Sequence, residues 1–132
     1  MNKQEITAII VEPKKHPRLI SIINDADNIK SLISRDATYP CNIDVMRIEK
    51  NIAILYNRYA ALIDLEGNRQ IGNYIITGVF FIVETNKNGK LVSMSNFNFQ
   101  KYTKKFWNIE YYSDDEVSES FWNDYEKIIF AP

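Results

Sequence analysis

Asn57-Arg58 is the polar pair in this chain with the clearest capacity for binding chemistry. It directly follows the apolar run Ile52–Tyr56, so the arginine is expected where a strand ends. A guanidinium held in such a place can form bidentate hydrogen bonds to a carboxylate or a phosphate. Asn57 and Arg58 are therefore candidate ligand-binding residues. The alternative is a structural arginine that ties its own loop to Asp64 or Glu66.

The C-terminal segment is the second candidate site, because it combines acids with aromatic residues. Residues 107–132 carry seven Asp/Glu against one Lys, a balance of −6, whereas residues 1–106 carry 15 Lys/Arg against 10 Asp/Glu, a balance of +5. Aromatic side chains are enriched at protein interfaces. The candidate partner-binding residues are Tyr111, Tyr112, Asp114, Asp115, Glu116, Glu119 and Trp122. The alternative is an ordinary helix whose apolar side packs on the body while its acids face water.

Several chemistries lack the residues they need. With one histidine, His16, and one cysteine, Cys41, no Cys/His zinc site can form. The pair also makes a poor nucleophile and base, because His16 lies in a Lys/Pro-rich turn. The chain has no G-x-S-x-G elbow, and its four glycines are too dispersed for a phosphate-binding loop. We therefore expect no catalytic residues, no cofactor and no metal.

Two basic clusters raise the question of nucleic-acid binding. The first is Lys14, Lys15, His16 and Arg18, and the second is Lys101, Lys104 and Lys105 beside Trp107. Lysine and arginine near exposed aromatics can hold phosphates and stack bases. However, a pI near 5.8 is far from the strongly basic footprint of such domains. Nucleic-acid binding is therefore only a weaker alternative.

Composition indicates the compartment and the general class of the protein. No stretch is long and apolar enough for a transmembrane helix, and the first residues lack the pattern of a signal peptide. A single cysteine cannot form an internal disulfide. We therefore expect a cytoplasmic protein without membrane contact. A length of 132 residues favours one domain.

The elements that position these residues can be read from periodicity. The β-branched and aromatic run Tyr74–Glu84 predicts a central strand buried on both faces. Strands are predicted at Ile6–Val11, Arg18–Ile23, Val45–Glu49, Ile52–Tyr56 and Leu91–Met94, and Glu66-Gly67-Asn68 is typical of a turn. Helices are predicted after Asn24 or Asp25, after Ser95 or Asn96, and after the capping box Ser113–Glu116. The predicted fold is α+β, a single mixed, mainly antiparallel sheet with about three helices, the last acidic and amphipathic.

Several of these segments, in this order and spacing, resemble the bacterial and phage family known as domain of unknown function 3846. The segments are Val11–Pro13, Asn57-Arg58, Asp64–Gly67, Ile75–Val83, Leu91–Met94 and Lys101-Tyr102 with Phe106. The resemblance covers roughly residues 6–106 and leaves 107–132 as an acidic, aromatic C-terminal extension. It implies a small α+β protein often encoded on phages, plasmids and conjugative elements. It implies no reaction and no catalytic residues, and the approach to Asn57 lacks the proline usual in the family.

Together these observations predict a non-enzymatic accessory protein of a phage or mobile element that binds an unidentified protein partner. The first alternative is a domain, or an enzyme, that binds a small anionic ligand near Arg58. The second is nucleic-acid binding through the basic clusters. The oligomeric state and the docking of the C-terminal helix are left open by the sequence.

Overall fold

The computed structural model describes residues 4–34, 43–63 and 66–130, apart from the side chains of residues 63 and 128–130. In the described residues the chain forms eight strands and three α-helices. In chain order these elements are β1 (Glu5–Val11), β2 (Arg18–Ile23), α1 (Ala26–Ile33), β3 (Asp44–Glu49), β4 (Ile52–Tyr56), a 3₁₀ helix (Arg58–Ile63), β5 (Gly67–Ile71), β6 (Tyr74–Thr77), β7 (Phe80–Thr85), β8 (Leu91–Val92), α2 (Asn96–Lys105) and α3 (Asp114–Phe130). Cys41 and Asp64 lie outside the described residues.

The main sheet has the strand order β2-β1-β7-β4-β3, with β8 added to β7, and β5 and β6 form a separate two-stranded sheet. The predicted α+β class, with three helices and mainly antiparallel strands, is confirmed. Every strand pair described is antiparallel, so the described sheets have no mixed character. The sheet is also not single, because the hairpin β5–β6 stands apart from it.

The predicted central strand over Tyr74–Glu84 is two strands in two different sheets. Its residues are buried on both faces, as expected, but the chain turns at Gly78, whose φ is +76°. A positive φ is accessible to glycine at little steric cost, so this position can redirect the chain between two strands. The Gly78 N–H donates to the carbonyl of Glu66 at 2.7 Å, and Asn68 Nδ2 donates to the Gly78 carbonyl at 2.9 Å. Hydrogen bonds with Glu66 and Asn68 thus stabilise the turn between the two strands.

Strand β5 was not predicted, because Glu66-Gly67-Asn68 has the composition of a turn. In the structure Gly67 begins the strand, and it pairs with Thr77 across the hairpin. The register shifts between Gly67 and Arg69, which indicates a bulge. The polar residues of β5 are accommodated because Asn68 and Arg69 are buried in a hydrogen-bond network instead of facing water.

The two faces of the main sheet bury separate apolar clusters. One lies under α2 and the β5–β6 hairpin, and it comprises Ile9, Val11, Ile52, Ile54, Tyr56, Tyr74, Ile76, Phe80, Ile82, Met94, Tyr102 and Phe106. The other lies under α1, and it comprises Ile6, Ala8, Ile10, Ile22, Ile29, Ile33, Ala53, Leu55, Val79, Phe81 and Val83. Alternating strand residues supply the two clusters because successive side chains point to opposite faces.

The helix starts follow the predicted caps. The Asp25 carboxylate accepts from the Asn28 N–H at 3.3 Å to begin α1, and the Ser95 hydroxyl accepts from the Asn98 N–H at 3.3 Å to begin α2. Tyr102, on α2, is buried in the cluster between this helix and the sheet.

Candidate protein-interaction surface

Helix α3 begins at the capping box that the sequence predicted. The Ser113 hydroxyl accepts from the Glu116 N–H at 3.1 Å, and the Glu116 carboxylate accepts from the Ser113 N–H at 3.0 Å. Two N–H groups that the helix itself leaves without acceptors are satisfied in this way. Glu116, one of the candidate partner-binding residues, therefore has a structural role in starting the helix.

The helix is docked against the β5–β6 hairpin, not free. Val117 and Phe121 are buried, and the Ser120 hydroxyl accepts from the backbone N–H of Ile75 at 2.8 Å. This bond ties α3 to the backbone of β6. A Cβ atom built on Gly67 would lie 2.9 Å from Val117 Cγ2, so glycine is what allows β5 to approach the helix this closely.

A stripe of acids and one tryptophan follows the outer side of α3. Asp115, Glu119, Trp122 and Glu126 are separated by four, three and four residues, the spacing that places side chains on one face of a helix. All four are exposed, and Trp122 is 48% exposed. Within the described part of the chain, the three carboxylates make no hydrogen bond or ion pair. The stripe thus presents unneutralised charge around a large aromatic ring.

Tyr125 extends this stripe into an aromatic cluster built around buried Phe121. The Trp122 ring lies 5.1 Å from that of Phe121 and 5.6 Å from that of Tyr125, both in edge-to-face geometry. Tyr59 of the 3₁₀ helix completes the cluster, with its ring 6.1 Å from Phe121. Tyr125 is 37% exposed and Tyr59 49% exposed. We call Asp115, Glu119, Trp122, Tyr125 and Glu126 the acid–aromatic face.

The other candidate residues, before and at the start of α3, lie outside the acid–aromatic face. Tyr112 is half buried, and its hydroxyl donates to the Glu110 carboxylate, which also accepts from the Gln70 N–H at 3.0 Å. Burial, reinforced by Glu110, raises the pKa of Tyr112. Tyr112 thus fastens the segment before the helix to β5.

Tyr111 and Asp114 line a cleft of about 200 Å³ together with Lys14, Glu66, Gly67, Glu110 and Tyr112. Tyr111 is 71% exposed. The predicted set is therefore divided by the fold. Asp115, Glu119 and Trp122 share one face, Tyr111 and Asp114 border this cleft, and Tyr112 and Glu116 serve the structure.

Arg58, the other candidate, is engaged by carboxylates of its own chain. Its Nη1 lies 3.0 Å from Asp124 Oδ2 and its Nε lies 3.4 Å from Asp44 Oδ2, with the side chain 23% exposed. Burial lowers the pKa of Arg58, but Tyr56 and the two aspartates outweigh this and raise it. The arginine thus joins β3 and α3 at the end of β4. The expected partner Glu66 pairs with Lys14 instead.

Asn57 shapes the same turn. Its Oδ1 accepts from the Tyr59 N–H at 3.0 Å, the local bond by which asparagine mimics a backbone turn. Its Nδ2 is buried without a hydrogen-bond partner in the described part of the chain. Neither residue of the pair presents a free charged group to solvent.

Arg69 is a structural residue that the sequence reasoning did not identify. It is fully buried, and its guanidinium donates to the carbonyls of Phe106, Asn68 and Lys15 at 3.0, 3.2 and 2.8 Å and to Asn68 Oδ1 at 2.8 Å. Burial lowers its pKa, and Glu110 opposes that effect. Its polar neighbours in the sequence gave no signal of burial, since they are typical of an exposed turn.

Comparison with known families establishes one relationship. The sequence profile described as Domain of unknown function (DUF3846) matches residues 6–107. The chain belongs to this family. The resemblance predicted from the sequence is thus confirmed. No curated protein and no solved structure matches the chain.

The DUF3846 match includes the Arg58 turn and buried Arg69 but ends seven residues before α3 begins. The acid–aromatic face therefore lies beyond the matched region, although the tyrosine that flanks it, Tyr59, lies inside. The face is a feature of this chain that the family profile does not describe.

Within the DUF3846 region, the two basic clusters are adjacent and largely paired with acids. The His16 ring stacks on Trp107 with centroids 4.0 Å apart, which brings the clusters together. Lys14 pairs with Glu66, Lys15 and Arg18 share Glu12, and Lys101 pairs with Glu49. Such pairing reduces the charge available for phosphate contacts, so nucleic-acid binding stays a weaker hypothesis.

Among the described residues, no group of three or more His, Cys, Asp or Glu is arranged to hold a metal ion. In the same residues, no helix is long and apolar enough to cross a bilayer.

Proposed function

We propose that this chain is a non-enzymatic binding protein whose acid–aromatic face contacts a basic surface of a partner protein. The observation that carries the proposal is the half-exposed Trp122 among three acids that have no partner in the described chain. Exposed aromatic patches rimmed by polar residues mark interaction sites. The charge balance of −6 over residues 107–132 favours a positively charged partner.

Family membership adds a setting to this proposal. The resemblance implies that such proteins are often encoded on phages, plasmids and conjugative elements, and we propose that this chain is a cytoplasmic accessory protein of a phage or mobile element. We infer that it acts by occupying a surface of a larger protein. A basic surface is typical of proteins that handle nucleic acid, and this is the partner class that we expect.

Capture of partners from nuclease-treated host lysate tests the proposal. The full chain serves as bait beside the double variant Glu119→Lys/Trp122→Ala, and bound proteins are identified by mass spectrometry. The matched control is Glu5→Lys/Phe97→Ala, which makes the same charge reversal and likewise removes an aromatic ring, at exposed positions on β1 and α2. We expect a stoichiometric basic protein that the control retains and the face variant loses. Equal capture by both variants would overturn the proposal.

The alternative of a small anionic ligand at Arg58 is weakened by the two aspartates that already hold the guanidinium. A ligand would have to displace Asp44 or Asp124 to bind there. A thermal-shift screen with phosphates and carboxylates addresses this directly, since a ligand that binds only the native state raises the melting temperature. We expect that no compound raises the melting temperature of the wild type without raising that of Arg58→Lys as well.

A further inference from the structure

The acid–aromatic face has a regular geometry along α3. Its stripe of Asp115, Glu119, Trp122 and Glu126 spans twelve residues, so its first and last residues are about 16 Å apart along the helix at a rise of about 1.5 Å per residue. Trp122 has a carboxylate roughly one turn before it and another roughly one turn after it. A partner segment that follows the stripe therefore meets acid, aromatic ring and acid in succession.

The aromatic part of the face is fixed in place. Trp122 packs edge-to-face against Phe121 and Tyr125, with ring angles of 84° and 79°. Phe121, on the same helix, is itself buried, so the aromatic cluster is anchored on the body of the protein. A ring held in this way loses little conformational freedom when a ligand binds.

The same helix already binds one arginine of its own chain. Asp124 accepts from Arg58 Nη1 at 3.0 Å, with Asp44 on the other side and the Tyr74 hydroxyl within 3.4 Å of the Arg58 carbonyl. Two carboxylates thus hold a guanidinium on the inner side of α3. The outer side also carries two carboxylates, those of Glu119 and Glu126, which flank Trp122 and have no partner among the described residues.

We propose that the acid–aromatic face selects arginine over lysine in a protein segment of its partner, an inference that rests on the function proposed above. A guanidinium can stack on Trp122 and also form bidentate bonds to a neighbouring carboxylate, whereas an ammonium is a compact point charge. Glu119 and Glu126 are about 10 Å apart along the helix axis. Arginines at every third residue of a polyproline II segment lie on one side of it, because that conformation has three residues per turn. At about 3.1 Å per residue they are about 9 Å apart, close to that separation.

Calorimetric titration with two synthetic peptides tests the selection. Both are twelve residues of Gly and Ser, one with arginine and the other with lysine at every third position, so length and charge are equal. We expect the full chain to bind the arginine peptide about five- to tenfold more tightly, as cation–π contact and bidentate bonding together favour it. In Trp122→Leu the preference should fall below about twofold, whereas Phe97→Leu on α2 should keep it.

The outcomes separate this inference from the proposed function. Equal binding of the two peptides, weakened by Glu119→Gln/Glu126→Gln, would reject arginine selection while keeping a basic partner. Binding that no face variant changes would reject both. Absence of binding to either peptide, with a lysate partner still lost from the Glu119→Lys/Trp122→Ala variant, would reject arginine recognition alone. Circular dichroism melts of every variant verify that the fold is intact.

Discussion

At the scale of single residues, Arg69 shows how a charged side chain can belong to a core. Its guanidinium joins three parts of the chain through backbone carbonyls, namely the turn after β1, strand β5 and the end of α2. No carboxylate of the described chain lies within ion-pair distance of it. The cation is therefore compensated by carbonyl dipoles and Asn68, and its loss would leave several buried acceptors without donors.

Arg69→Ala is expected to lower the free energy of unfolding by about 3 kcal/mol or more, because buried acceptors lose charged donors and a cavity remains. Urea denaturation followed by circular dichroism measures the change. The control is Arg47→Ala, which removes an exposed arginine that donates to the Lys50 carbonyl in a surface turn, with an expected effect of about 0.5 kcal/mol. Equal effects of the two substitutions would contradict a structural role for Arg69.

Glu84, also at the scale of single residues, makes a pH-dependent contribution to the free energy of unfolding. Its Oε1 accepts from the Ser95 N–H and from Asn98 Nδ2, both at 2.9 Å. Burial raises the pKa of Glu84, but these hydrogen bonds outweigh burial and the net pKa is lowered from 4.5. The pKa of Glu84 is lower in the folded state than in the unfolded state, so its stabilising effect is complete at pH values above the pKa of the unfolded state. It is lost as the pH falls through the folded value.

Glu84→Gln should therefore be less stable than the wild type by about 1 kcal/mol at pH 7, since a neutral acceptor replaces a charged one. The difference should shrink as the pH falls from about 5 to 3. Urea unfolding at a series of pH values measures it, with exposed Glu5→Gln as the control. A difference that stays constant across this range would contradict the assigned hydrogen bonds.

At the scale of elements, the docking of α3 depends on a glycine in the strand beneath it. Gly67 lies so close to the helix that an added Cβ would be 2.9 Å from Val117 Cγ2 and 3.0 Å from Tyr112 Cβ. No positive φ is found at Gly67, so the constraint there is contact with the helix and not backbone conformation. The glycine at the start of β5 thus allows α3 to pack closely on this strand.

Gly67→Ala is expected to destabilise the protein by about 1–3 kcal/mol through overpacking. Val117→Ala removes one of the contacting methyl groups, so the double variant should be more stable than the sum of the two effects by about 1 kcal/mol. Thermal and urea unfolding of the four proteins give this coupling energy. Strict additivity would show that the helix shifts away without strain.

At the scale of the whole molecule, the C-terminal segment is part of the folded body although it lies outside the family match. Ser120 satisfies the Ile75 N–H, and Arg58 joins Asp124 to Asp44 across three elements. Deletion of α3 would expose the β5–β6 hairpin and release these partners. A truncated chain is thus unsuitable for mapping a binding surface, which is why substitutions on the acid–aromatic face are preferred.

Deletion of residues 113–132 should lower the free energy of unfolding by about 3–5 kcal/mol, since the buried side chains Val117 and Phe121 contribute about 1.5–3 kcal/mol each. The measurement is urea unfolding with a dye that reports exposed apolar surface. Glu119→Lys/Trp122→Ala serves as the control and should change stability by about 1 kcal/mol or less. Unchanged stability of the truncated chain would show that α3 contributes nothing to the body.

The sequence by itself determined the features that depend on neighbouring residues. Runs of β-branched residues set most strand limits, and Asp25, Ser95 and Ser113 set the helix starts, because a cap bonds to residues only three positions away. The order of the segments also indicated the family. These features need only local geometry, so a single sequence is enough to predict them.

The tertiary structure alone decided the features that depend on distant partners. Hydrogen bonds to residues up to 57 positions away in sequence stabilise the turn at Gly78, the strand β5 and the buried guanidinium of Arg69. The acids of α3 similarly have different roles, with Glu116 acting as a cap and Asp124 as a partner of Arg58, while Asp115 and Glu119 face outward. Identical residue types have different roles here because the packing of α3, not composition, determines which carboxylates remain available.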